Sequence, residues 1–95
     1  MKISIELSLY PLAEEQYKNE IWAFIKRLRN VDGLKVITNG MSTQVFGEYD
    51  LAVSKVMAEI KHVHSSIQQR TGEVGAAVFV CKFINGDRSI VETES

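Results

Sequence analysis

The sequence predicts an α+β sandwich in the order β-α-β-β-α-β, and three observations predict it. Ile3, Ile5, Leu7 and Leu9 alternate with Ser4, Glu6, Ser8 and Tyr10, the period-two pattern of a strand with one face on a core. Two later stretches, 14–30 and 50–71, repeat apolar residues at helical spacing. The region between those stretches holds two short apolar runs that meet at Asn39-Gly40, a strong short-range hairpin signal because both residues tolerate positive φ.

The elements follow in order. Pro11 ends the first strand. From Glu14 to Asn30, Tyr17, Ile21, Phe24, Ile25 and Leu28 mark one helical face, with acids in the first turn and Lys26, Arg27 and Arg29 in the last, as the helix dipole favours. Trp22 sits beside that stripe and is expected to pack the helix; Gly33 suits the helix exit. Leu34 to Thr38 and Met41 to Glu48 read as the hairpin strands. Asp50 is the expected N-cap of the second helix, whose face is Val53, Val56, Met57, Ile60, His64 and Ile67 and which closes near Gly72. Ala76 to Ile84 reads as the last strand, and the polar tail, about 86–95, is expected to be flexible. This is the ferredoxin-like split βαβ: an antiparallel sheet with strands 1 and 3 in the middle and both helices on one side.

Composition bounds the rest. A chain of 95 residues with 45% hydrophobic and 24% charged content is expected to form one domain, 1–95. Lys plus Arg number 11 and Asp plus Glu 12, a net charge of -1 that disfavours non-specific binding to nucleic acid. Cys81 is the only cysteine, so no internal disulfide forms; its apolar neighbours suit a small buried hydrophobe. The alternating N-terminus is unlike a signal peptide, and no run approaches the ~20 apolar residues that span a bilayer, so a soluble, cytoplasmic chain without membrane partners is expected. His62 and His64 point in different directions on a helix, which leaves no metal pair, and no cofactor is expected. His64, on the apolar stripe, is expected to be a hydrogen-bonded core residue.

Strand parity selects a candidate surface. If Ile3, Ile5 and Leu7 face the helices, Ser4, Glu6, Ser8 and Tyr10 face away. A hairpin loop of two residues pairs Thr38 with Met41 and puts Ser42, Gln44, Phe46 and Glu48 on that same side, together with Lys35 and Ile37; a loop of four residues keeps this parity. The result is a band of hydrogen-bonding groups bordered by two aromatics. A solvated outer face would look the same. The last strand argues against full solvation, because AAVFVCKFI is apolar at consecutive positions and calls for cover on both sides; another copy of the chain is the expected cover, by sheet-to-sheet or edge-to-edge contact.

ISIELSLYPL at 3–12 and TNGMSTQVFGEYD at 38–50, with the helix carrying KHVHSSI and the NGDR turn after the last strand, resemble the thiamine-binding protein family, the YkoF-like proteins and their small single-domain relatives. The likeness spans nearly the whole chain, and the first two motifs are its more specific part. It implies a ferredoxin-like fold, dimers or tetramers, no catalysis, and binding of thiamine or its hydroxymethylpyrimidine part. The family's YkoF-like members carry a tandem pair of such domains where this chain has one, so a complete pocket could require two or more copies.

An aminopyrimidine needs acceptors for its exocyclic amine, hydroxyl donors for its ring nitrogens and an aromatic wall. Glu6, Ser8, Tyr10, Ser42, Thr43, Gln44, Phe46 and Glu48 supply those types within the two motifs. Tyr10 or Phe46 could also meet the thiazolium cation. Parity turns Thr43 toward the helices, which leaves two places for a pocket: on the open face, or between sheet and helices. Glu6 and Glu48 are open to a second reading as surface or interface charges, and Phe46 as part of an oligomer core.

Other functions fit less well. An acylphosphatase-like enzyme needs a phosphate-cradling loop after the first strand, and YPLAEEQ is acidic and glycine-free. RNA-binding modules of this topology need aromatics on the central strands within a basic surround, and this face is acidic. The expectation is a non-catalytic small-molecule binder; the alternative is a structural or regulatory oligomerisation module without a ligand.

Overall fold

A computed structural model describes residues 1–11, 18–75 and 77–89. It contains β1 (Lys2–Pro11), α1 (Lys18–Arg29), β2 (Lys35–Thr38), β3 (Thr43–Glu48), α2 (Tyr49–Thr71) and β4 (Ala77–Asn85). The strands form one antiparallel sheet in the order β2-β3-β1-β4, so the expected ferredoxin-like architecture is the observed one. The expected start of the first helix, with Glu14, Glu15 and Tyr17, lies outside the described residues.

Alternation places the core. Ile3, Ile5 and Leu7 of β1 and Val45 of β3 turn to the helices and are almost fully buried. They meet Phe24, Ile25 and Leu28 of α1 and Ala52, Val56, Ile60, Val63 and Ile67 of α2. Phe79 of β4 joins them with its ring centroid 5.5 Å from that of Phe24. α2 closes as expected at Gly72, whose φ of 73° lets its N–H reach the Gln68 carbonyl.

Three local expectations change. Asp50 is not the N-cap of α2: β3 passes into the helix without a loop, and Glu48 holds the cap position with no side-chain cap bond. The reason lies in the ladder, which runs on until Tyr49 donates its N–H to the Met1 carbonyl. In the hairpin Thr38 pairs with Thr43, the four-residue alternative, and Gly40 takes no positive φ. There Asn39 shapes the turn through its side chain, whose Oδ1 accepts the Met41 and Ser42 amides at 2.8 and 3.1 Å. His64 is hydrogen-bonded, its Nε2 3.2 Å from the Ala77 carbonyl oxygen, but it is exposed rather than in the core.

The chain beyond β4 returns over the sheet. Gly86 turns at φ 108°, and Ser4 Oγ donates to its carbonyl and accepts the Arg88 amide, each at 2.8 Å. Of the segment expected to be flexible, Gly86 to Ser89 therefore cross the face away from the helices, while residues 90–95 lie outside the described residues. No described helix is long and apolar enough to cross a membrane.

Candidate functional site

Every open-face residue picked out by parity lies on that face, yet the structure divides the candidate set into three places. Ser8, Tyr10, Ser42 and Thr43 line a cleft of about 370 Å³ where the ends of β1 and the hairpin meet α1. Glu6, Gln44 and Phe46 line a smaller hollow of about 210 Å³ on the open face, with Lys82, Ile84 and Arg88. Glu48 lies in neither, at the other end of β1 beside Met1 and Lys2. At about 3.3 Å per residue, the run from Lys2 to Leu7, where the cleft lining begins, separates it from the cleft by about 17 Å.

The cleft is built by the core itself. Leu7, Leu9, Ile21, Phe24 and Ile25 form an apolar floor. Above it the Thr38 and Thr43 hydroxyls lie 2.8 Å apart, paired across the hairpin, and Thr43 is buried. Parity turned Thr43 toward the helices, and this is where it points. Trp22, expected to pack the helix, instead leaves 52% of its surface exposed on the cleft wall, and Tyr10 leaves 54%. Thr38, Asn39 and Trp22 were not among the candidates. Register could have found Thr38, because the longer loop sets it directly opposite Thr43.

In the hollow, Glu6 is held from both sides. Ser42 Oγ donates to it at 2.9 Å, and Lys82 approaches at 3.5 Å from the paired position on β4. The Ser42 bond links hollow and cleft through a single side chain. Phe46 is only 6% exposed although it faces away from the helices, because the returning segment lies over that end of the sheet.

Electrostatic shifts fall outside the cleft. The N-terminal ammonium, hydrogen-bonded to Glu48 at 3.3 Å, holds that carboxyl below its ordinary range, with Lys2 adding to the effect. Hydrogen bonds from Ser89 lower Asp87, and burial raises the thiol of the half-buried Cys81. Among the described residues no group of three or more His, Cys, Asp or Glu could hold a metal ion.

No family model matches the chain, and no curated protein does. Solved structures do. A hypothetical protein of Methanocaldococcus jannascii is 24% identical, with a TM-score of 0.62 over 94% of this chain and 84% of its own. A Thermotoga maritima protein provisionally assigned to thiamine biosynthesis or salvage is 17% identical, with a TM-score of 0.55 over 87% of this chain and 82% of its own. A domain of unknown function, DUF77, from Bacillus cereus is 12% identical, with a TM-score of 0.56 over 96% and 82%. At these identities the likeness shows the fold.

Proposed function

We propose that the protein is a non-catalytic binder of a flat, amine-bearing heterocycle, thiamine or its hydroxymethylpyrimidine part, held in the cleft between the hairpin and α1. The observation that carries this reading is the Thr38–Thr43 hydroxyl pair set over an apolar floor beside the half-exposed Trp22. Hydroxyls serve an aminopyrimidine's ring nitrogens and amine, and the indole supplies a stacking face. A volume of about 370 Å³ lies within the range of small-molecule sites, ~300–1,000 Å³. The described lining carries no Lys or Arg, so a diphosphate finds no counter-charge there. The Thermotoga maritima neighbour with its thiamine assignment points the same way.

The second part of the proposal is a homo-oligomer. Val78, Val80 and Ile84, which share the face of β4 away from the helices, are each between 42 and 48% exposed, and a second copy would cover them.

Calorimetric titration with hydroxymethylpyrimidine, thiamine and thiamine diphosphate tests the ligand. Heat is expected with the first two and least with the diphosphate. Trp22 is the only tryptophan, so its fluorescence should change on binding. Thr43→Val should weaken binding about tenfold, the loss of one hydrogen bond of ~1.4 kcal/mol, whereas Glu48→Ala should not. Absence of both heat and fluorescence change would leave the oligomerisation module without a ligand.

A further inference from the structure

We infer that the open-face hollow binds a small zwitterion, an α-amino acid with a short apolar side chain. The site is separate from the cleft and independent of the ligand proposed there.

Two cross-strand rows build the hollow. Register sets Gln44, Glu6 and Lys82 side by side across β3, β1 and β4, and sets Phe46, Ser4 and Ile84 in the next row on the same face. Two residues along a strand rise about 7 Å, so a charged row and a largely apolar one lie within reach of a single small molecule. The returning chain supplies the third side. Ser4 Oγ accepts the Arg88 amide at 2.8 Å, which fixes the Arg88 backbone over Ser4 and makes Arg88 part of the lining.

Unmet hydrogen-bonding capacity in these rows points to a guest. Glu6 is held by Ser42 at 2.9 Å and by Lys82 at 3.5 Å, the second an ion pair longer than an ordinary N–H···O bond. A carboxylate offers about four lone-pair sites, so Glu6 has room for a further donor. Neither the half-buried Gln44 carboxamide nor the Arg88 guanidinium has a partner among the described residues. Charge then selects the class. A lone anion such as phosphate would meet the Glu6 carboxylate, and a lone cation would meet Lys82 and Arg88, each a like-charge contact that costs affinity. A zwitterion answers both signs: its ammonium donates to Glu6, its carboxylate accepts from Arg88, and its side chain covers Phe46 and Ile84. Volume limits the size, since about 210 Å³ holds about seven waters at ~30 Å³ each, which favours valine or leucine over tryptophan. Val78 and Val80 lie beyond the Lys82 row toward Tyr10, so of the apolar face assigned to a second copy only Ile84 is shared with the hollow.

Calorimetric titration of the unsubstituted protein with L-leucine, isocaproate and isoamylamine tests the class, because the second probe is leucine without its amine and the third is leucine without its carboxylate. Leucine should give heat. Each truncated probe should bind at least about tenfold more weakly, as expected for a lost hydrogen bond to a charged group. Arg88→Ala, an exposed position whose backbone amide stays on Ser4, should weaken leucine binding by a similar factor at an unchanged urea midpoint. Glu6→Gln, which keeps an acceptor for Ser42 and removes the charge, should do the same. Leucine heat should persist when hydroxymethylpyrimidine is present in excess. No heat with leucine or valine, or full leucine affinity in Arg88→Ala, would overturn the site. Equal affinity for isocaproate or isoamylamine would overturn the zwitterionic class, and competition with hydroxymethylpyrimidine would put the amino acid in the cleft and overturn its placement. Failure of hydroxymethylpyrimidine itself to bind would count against the cleft alone.

Discussion

The two ends of this sheet share one alternating pattern and finish differently. At the Ser4 end, Ser4 and Phe46 face away from the helices and are each only 6% exposed, because the chain comes back across them and is pinned by the Ser4 hydroxyl. At the Tyr10 end nothing described returns, and Tyr10, Trp22 and Met41 are 54, 52 and 86% exposed around the cleft. Alternation decides which way a side chain points. What covers it depends on where the rest of the chain goes. One end is closed by the chain itself, and the other is left open around the cleft.

The closed end should be the easier to break. Gly47 offers no space for a side chain: a Cβ there would lie 2.7 Å from Leu34 Cδ2 and 2.8 Å from the Gly33 carbonyl oxygen, and the second is backbone that cannot swing aside. Gly47→Ala should cost about 1–3 kcal/mol through overpacking, read from the midpoint of urea denaturation at unchanged slope. Ser4→Ala should come next, at about 1–2 kcal/mol for two lost hydrogen bonds. The Arg88 amide should then lose protection from hydrogen exchange. The comparison sharpens with Ser8→Ala at the open end, where stability should move by no more than about 0.5 kcal/mol. Equal losses at Ser4 and Ser8 would mean that the return of the chain contributes nothing to holding the sheet.

Most of the fold was legible because its signals are local. The alternation of Ile3 to Tyr10 fixes which face of β1 is buried, and the helical spacing of Val56, Ile60 and Ile67 fixes the face of α2. The cap of α2 was not legible, since its position follows from how far β1 and β3 stay paired, a property of two distant segments. The candidate site was legible in kind and not in place. Parity put Glu6, Gln44 and Phe46 on one surface, and it turned Thr43 to the other side, where Thr38 meets it. It could not tell that Ser8 and Tyr10, at the end of β1, also border the cleft, or that Glu48 sits a strand's length away. Trp22 was missed because a residue beside an apolar stripe packs only where a neighbour covers it, and α1 overhangs the cleft there.

The smallest effect expected is electrostatic and belongs to the closed end. Glu48 lies 3.3 Å from the N-terminal ammonium and 3.5 Å from Lys2, at the start of α2 where the helix dipole also favours a negative charge. Its carboxyl is held below the ordinary value of 4.5, chiefly by the hydrogen bond from the ammonium. A carboxyl depressed in the folded state adds stability above its unfolded value and loses it as pH falls through the folded one. The advantage of the wild type over Glu48→Gln should therefore be present at pH 7 and vanish on acidification below the ordinary carboxylate range. Because the pair is exposed, salt should shrink it as well. Carbon-detected NMR titration of the Glu48 carboxyl provides the direct check: a midpoint at or above 4.5 would mean that the ammonium and Lys2 do not hold it, and that this end of the sheet is closed by the returning chain alone.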